Sequence, residues 1–285
     1  MDQAVFSDSD TGGETGGALA TADRRLSACG ETLERMVVTG PSRLLDDETV
    51  ARVRALTGDL AAQLAGTDRD LANAVHAMLV GNRAILTHCH ALAVEWRLAM
   101  RLSARLALDP VLPPLVQRHC ATMMGLIAAQ TRSFEATRRM LLVAGDLPAD
   151  LQNLAYATVR AARADHALTH LADARADDNG GRLALLHQAV AGLGEDLDHA
   201  LRVDEAGVSL FFTALAIASG HPRETVVLAT AEDDPVRLAL LLCATGLPRD
   251  DVARQLLALR PDADIALADA APNAVAAEAL LGAVR

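Results

Sequence analysis

The chain has 285 residues with a net charge of −11, and 51% of it is hydrophobic while only 2% is aromatic. There is ample aliphatic material for a core, but the negative balance argues against a nucleic-acid binder held by phosphate neutralisation, and the scarcity of rings removes the stacking platforms of single-strand binders. All 26 basic residues are arginine. We read this as the codon bias of a GC-rich genome, and the absence of lysine excludes the GxxxxGK[ST] phosphate loop. Leu, Ala, Arg and Glu are strong helix formers, and isoleucine and strand-favouring aromatics are sparse, so the expected fold class is all-α.

Residues 1–18 are rich in Ser, Thr, Gly and acid and nearly free of apolar side chains, which predicts a disordered acidic tail. They show neither the basic nor the apolar region of a secretory signal. Thr21 is placed to cap a helix to about Val38, ended by Gly40 and Pro41. Asp46, Asp47 and Glu48 open the next helix, with Val50, Val53, Leu56, Leu60 and Leu64 on one face and Gly66 at its end. Thr67 to Asp70 has the form of a capping box before Leu71, Val75 and Leu79.

The stretch from Arg83 to Asp109 is the richest in chemical groups. It holds the only tryptophan and two of the nine histidines, and it stops before Pro110. At 100° per residue, Leu92, Leu98, Leu102 and Leu106 share one side with His88 and Glu95. A buried carboxylate beside a histidine is a setting for acid–base chemistry, and His119 on a later helix is a possible third member; the commoner account is a polar pair satisfied within the core. The other side carries His90, Arg97, Arg101 and Arg105, with Arg83 in line. Residues 71–145 hold eight arginines against three acids, a net of +5, whereas residues 1–70 and 146–285 are both acidic. This stripe is the expected partner-binding site, suited to an acidic or phosphorylated protein segment, with a solvated helix face as the alternative.

Further helices follow Pro113 and Pro114, one carrying Met123, Met124, Leu126 and Ile127 and continuing through residues 132–145. A small unit then recurs. Gly145 to Asp150, Gly220 to Glu224 and Gly246 to Asp250 each set glycine, then proline, then an acid, a pattern that ends one helix and starts the next; Gly192 to Glu195 is a degenerate copy. These turns predict stacked antiparallel hairpins in a curved, HEAT-like array after a helical bundle, with domains at 19–145 and 146–285 and a terminal helix from Pro272 to Val284.

His166 and His170, at i and i+4 with Asp165 and Asp173 nearby, could share a helix face as metal ligands. No third ligand is evident in sequence, so no metal or cofactor is expected. No GxGxxG follows a strand-like run and no GxSxG elbow is present. Cys29, Cys89, Cys120 and Cys243 form no CxxC pair and read as small buried hydrophobes in a reducing cytoplasm. Phe211 and Phe212 read as core. The longest uncharged apolar run, Ala206 to Gly220, falls short of the ~18–20 residues that span a bilayer.

Residues 106–117, 130–140, 145–151 and 207–230 resemble an uncharacterised bacterial family of all-helical proteins described only as a domain of unknown function. The resemblance implies the all-helical fold and carries no activity, cofactor or functional residue. The expected function is that of a non-enzymatic regulatory or scaffolding protein that presents a helical surface to a partner protein, in the cytoplasm, with no nucleic acid and no membrane. The alternatives are a histidine phosphotransfer bundle using His90 and a metal-dependent or small-molecule enzyme.

Overall fold

The computed structural model describes residues 9–39, 46–165, 181–264 and 272–283. Among them there are helices and no strands, as the composition requires. They divide into two compact units, one of residues 1–28 and 215–285, the other of residues 29–214. The boundary expected near residue 145 is therefore not where the chain divides. The smaller unit is made from both ends of the sequence, which a composition shift along the chain cannot reveal.

In the larger unit, α2 (Asp47–Ala65), α3 (Arg69–Val80), α4 (Arg83–Leu106) and α7 (Ala149–Asp165) enclose the main core. Val53, Leu56, Leu60, Leu71, Val75, Leu79 and Ile85 are fully buried there, and burying each such side chain stabilises the fold by roughly 1.5–3 kcal/mol. Side chains start these helices. Asp46 accepts from Glu48 N–H at 3.3 Å, Asp68 from Leu71 N–H at 2.9 Å, and Asn82 from Ala84 and Ile85 N–H. The cap of α3 is thus Asp68 and not Thr67. Helix α4 ends three residues before Asp109, where Ala107 turns left-handed at φ 52°.

Beyond it come α5 (Pro114–Arg118), with proline at its first position, α6 (Met124–Arg138), α8 (Arg182–Ala191) and α9 (Leu197–Ala200). Met140, at φ 60°, stands after the end of α6, so the helix expected to reach Gly145 stops short. Met123 is buried while Met124 is exposed. Helix α10 (Val203–Ser219) is broken near its start at Gly207, with φ 70° and ψ 166°. A Cβ there would stand 2.9 Å from Pro113 Cγ, so glycine is required both by backbone conformation and by the close approach of the proline ring. Phe211 and Phe212 are fully buried, their ring centres 5.6 Å apart.

The smaller unit is built around α12 (Val236–Ala244), which packs against α11 (Arg223–Ala229), α13 (Arg249–Leu259) and α14 (Ala274–Gly282). Every residue of α12 from Arg237 to Ala244 is buried, the signature of a helix surrounded on all sides. Gly220 and Gly246 take the left-handed conformation expected of them, and Glu224 and Asp250 lie in the following first turns. Pro222 and Pro248 precede those helices as their capping residues and not as their first residues. Gly145 departs from the pattern, since it lies in a short 3-10 turn, Ala144–Asp146.

Helix α1 (Ser9–Thr39) begins well before Thr21, so residues 9–18 of the expected tail are helical, while residues 1–8 lie outside the described residues. Thr21 sits inside it and donates to Gly17 O at 2.9 Å. Burial of Leu19, 1% exposed, gives this polar stretch an apolar anchor that its overall composition hides. No single helix among the described residues is long and apolar enough to cross a membrane.

Candidate functional site

Helix α4 changes character along its length. From Ile85 to Glu95 all residues but Thr87 are buried, whereas Arg97, Arg101, Ala104, Arg105 and Leu106 are exposed. The basic stripe is consequently split. Arg83 is exposed at one end, but fourteen residues of helix, about 21 Å, separate it from Arg97. Between them His90 is only 8% exposed. Burial, and secondarily the charge of Arg97, pushes its pKa down to about 4. The ring is neutral near pH 7 and enclosed, which corrects the reading of His90 as a member of the exposed face and as an accessible phosphoacceptor.

Arg97 already holds a carboxylate. Its Nη1 is paired with Asp46 at the start of α2 and donates to Thr49 Oγ1 at 2.7 Å. Thr49 in turn donates to Asp46 at 2.8 Å. Asp46 is burdened by some desolvation, but the Thr49 hydrogen bond and the Arg97 charge hold its pKa below the usual carboxylate range. Arg101 and Arg105 continue the same face toward the end of the helix, where basic side chains also complement the helix dipole.

The apolar side of α4 reaches a different group. Glu95, 4% exposed, does not stand alone: Arg182 Nη2 donates to Glu95 Oε1 at 2.6 Å, and Ser209 Oγ donates to the same oxygen at 2.7 Å. Arg182 Nε donates to Gln130 Oε1 at 2.5 Å, and its backbone N–H reaches Asp146 Oδ1 at 3.3 Å. Gly181, just before Arg182, lies so close to the Gly145 carbonyl that a Cβ would overlap it at 2.2 Å. This fixes the entry of Arg182 into the core. The network lines a cleft of about 40 Å³, room for water but far below the roughly 300–1,000 Å³ of small-molecule sites. Trp96 also lines it and carries the Arg52 guanidinium 3.7 Å over its ring, a cation–π contact that fixes the indole in place.

His119, the possible third member of a catalytic group, pairs instead with Asp196 at 2.7 Å. His88 is buried, 3% exposed. Glu95 therefore serves Arg182 and Ser209 in a satisfied structural network. Among the described residues no group of three or more His, Cys, Asp or Glu could hold a metal ion. His166, His170 and Asp173 lie outside the described residues. Cys89 and Cys243 are buried and Cys29 half-buried, but Cys120 is exposed, contrary to the expectation that all four are interior. Burial pushes the Cys89 thiol up to about 12, which keeps it an inert core group.

No family model, no curated protein and no solved structure matches the chain. The resemblance to an uncharacterised helical family thus stands on its sequence motifs alone, as does the HEAT-like arrangement of hairpins. Sequence reasoning missed Arg182, Gln130 and Ser209. The one available signal was Arg182 itself, a lone charge opening the apolar run LALL.

Proposed function

We propose that the protein is a non-enzymatic regulatory or scaffolding module that presents the C-terminal half of α4 to an acidic segment of a partner protein. One observation carries this reading: Arg97, Arg101 and Arg105 succeed one another at intervals of four on the exposed side of a helix whose opposite side buries Leu98 and Leu102. At that spacing consecutive guanidinium groups are neighbours along one edge. They form a line of positive charge on a rigid support, matched to carboxylates along an extended or helical chain.

The chain itself supplies a precedent for the ligand. The Asp46 carboxylate, backed by Thr49, is already held by Arg97, so a partner carboxylate that engages Arg97 must displace Asp46. Leu106, 42% exposed beside this row, offers an apolar contact at its end. The Arg83 and His90 portion of the original stripe falls outside the proposed surface.

The test is a fluorescence titration of a labelled Glu/Asp-rich peptide against the full chain, with a phosphoserine peptide of equal charge in parallel. Acidic peptide should bind, weaken steeply with added salt, and lose at least about tenfold in affinity, ~1.4 kcal/mol, in the Arg101→Glu, Arg105→Glu double variant. Equal binding by wild type and variant overturns the reading. Preference for the phosphopeptide would replace an acidic partner by a phosphorylated one.

A further inference from the structure

The smaller unit contains a cavity of about 580 Å³, bounded by α1, the turn after Ser219, and α11, α12 and α14. Its volume falls within the roughly 300–1,000 Å³ typical of small-molecule sites, in contrast to the water-sized cleft beside Glu95. Leu19 and Leu281, both nearly fully buried, form apolar wall. Asp23, Thr225, His221 and Arg237 supply the polar lining.

Arg237 is the unusual member. Its side chain is 9% exposed, yet it stands on α12 amid an otherwise apolar run. Nη2 is paired with Asp23, and Nε stands 2.9 Å from Glu232 Oε1. The second contact lies off the N–H axis, so that neither oxygen of Glu232 completes a hydrogen bond. The third nitrogen of the fork, Nη1, is taken by neither carboxylate. A buried guanidinium is stable only when its donors are matched, and a planar fork with an arm to spare favours a carboxylate. Beside it, Asp23 is a third exposed along its side chain. His221 Nδ1–H donates to the Ser219 carbonyl at 2.7 Å, and a carbonyl only accepts, so in the neutral ring the acceptor lone pair lies on Nε2.

We infer that this cavity binds a small zwitterion, an α-amino acid or short peptide with an apolar side chain, whose carboxylate meets Arg237 and whose ammonium meets Asp23. The cavity lining itself places one fixed cation, Arg237, and one fixed anion, Asp23, in contact, while Glu232 meets Arg237 from outside the lining. A purely anionic ligand meets Asp23 and a purely cationic ligand meets Arg237, each an uncompensated like-charge contact. A molecule carrying both charges a few ångströms apart completes an alternating set of four. Thr225 then serves the ligand's remaining polar groups, and Leu19 and Leu281 receive its side chain. Free amino acid and peptide terminus share this chemistry, and the experiment separates them.

The full chain is titrated calorimetrically with L-leucine, L-leucyl-L-leucine, N-acetyl-L-leucine, which lacks the cation, and L-leucinamide, which lacks the anion. Saturable binding of leucine or the dipeptide, at least about tenfold tighter than either blocked analogue, supports the site. Whichever zwitterion binds more tightly identifies the source. Amide resonances of residues 220–225 should shift in the same titration. Asp23→Asn and Thr225→Phe should each weaken binding at least about tenfold, the first by removing the anion and the second by filling the cavity. The ligand series uses the unaltered chain, so it decides the matter even if a variant does not fold. Absence of saturation by both zwitterions up to about 10 mM, equal binding of the blocked analogues, or shifts confined to α4 would each overturn the inference.

Discussion

Arg182 in the larger unit and Arg237 in the smaller are both buried, yet one faces a single carboxylate and the other faces two. Around Arg182 the charges balance, and Gln130 and Ser209 absorb further donors and acceptors. Around Arg237 one carboxylate is in excess. Burial pushes the Glu232 pKa up to about 7, against the opposing pull of Arg237. The closed network beside Glu95 has room only for water, while the open one adjoins a large cavity. A balanced buried pair reads as structure; an unbalanced one beside a cavity reads as a place where something binds.

The largest expected effect comes from breaking the balanced pair. Arg182→Ala strands the Glu95 carboxylate in the core and should destabilise the larger unit by about 3–5 kcal/mol. The double variant Glu95→Leu, Arg182→Leu should recover most of that loss, because the charge is removed along with its partner. Trp96 is the only tryptophan and lies on α4, so its fluorescence during urea unfolding reports this unit specifically. A loss below about 1 kcal/mol for Arg182→Ala would show that the pair carries little of the unit's stability.

Next in size are two pH dependences of opposite sign. His90 in the larger unit has a folded pKa of about 4, below its ordinary value of 6.5. The folded state resists protonation, so stability is full above about pH 6.5 and falls as pH drops toward 4, by at most about 1.4 kcal/mol per pH unit. Glu232 in the smaller unit is raised from 4.5 to about 7. The folded state there prefers the protonated acid, so stability is full below about pH 4.5 and falls as pH rises through 7. His90→Leu should flatten the first dependence, read by Trp96 fluorescence. Glu232→Gln should flatten the second, read by amide exchange of α12. Slopes of the same sign in both units would break the contrast.

Local chemistry made part of this legible in the sequence. The stripe Val50, Val53, Leu56, Leu60 and the helix ends at Gly66, Gly220 and Gly246 depend on neighbours within a turn or two, and they are visible as spacing. The exposed arginines of α4 were likewise readable from a 100° step. What covers a helix face was not: His90 lies on the angular sector of Arg97, and only the packing of other elements makes it interior. The same holds for the charged cores. Glu95 finds Arg182 across 87 residues, and Asp23 finds Arg237 across 214; no periodicity links residues so far apart. The lone arginine in the apolar run of α12 was the clue that went unused.

Helices here start in two ways, with a side-chain cap or with an uncapped proline, and comparing one of each gives the smallest contrast. In the larger unit Asp46, Asp68 and Asn82 accept from the first turns of α2, α3 and α4. In the smaller, Pro222 and Pro248 precede α11 and α13 without a side-chain cap, while Asp234 accepts from Val236 N–H at the start of α12 and Asn273 caps α14. An aspartate cap acts in the folded state by satisfying an exposed N–H, whereas proline acts on the unfolded chain by restricting it beforehand. Asp68→Ala should therefore cost about 1 kcal/mol and Pro248→Ala about 0.4–1 kcal/mol. Salt separates the two mechanisms further: the aspartate also interacts with the helix dipole, so part of its contribution is screened by added salt, while the proline contribution is not. Equal salt sensitivity of the two losses would show that the proline starts act through the folded state as well.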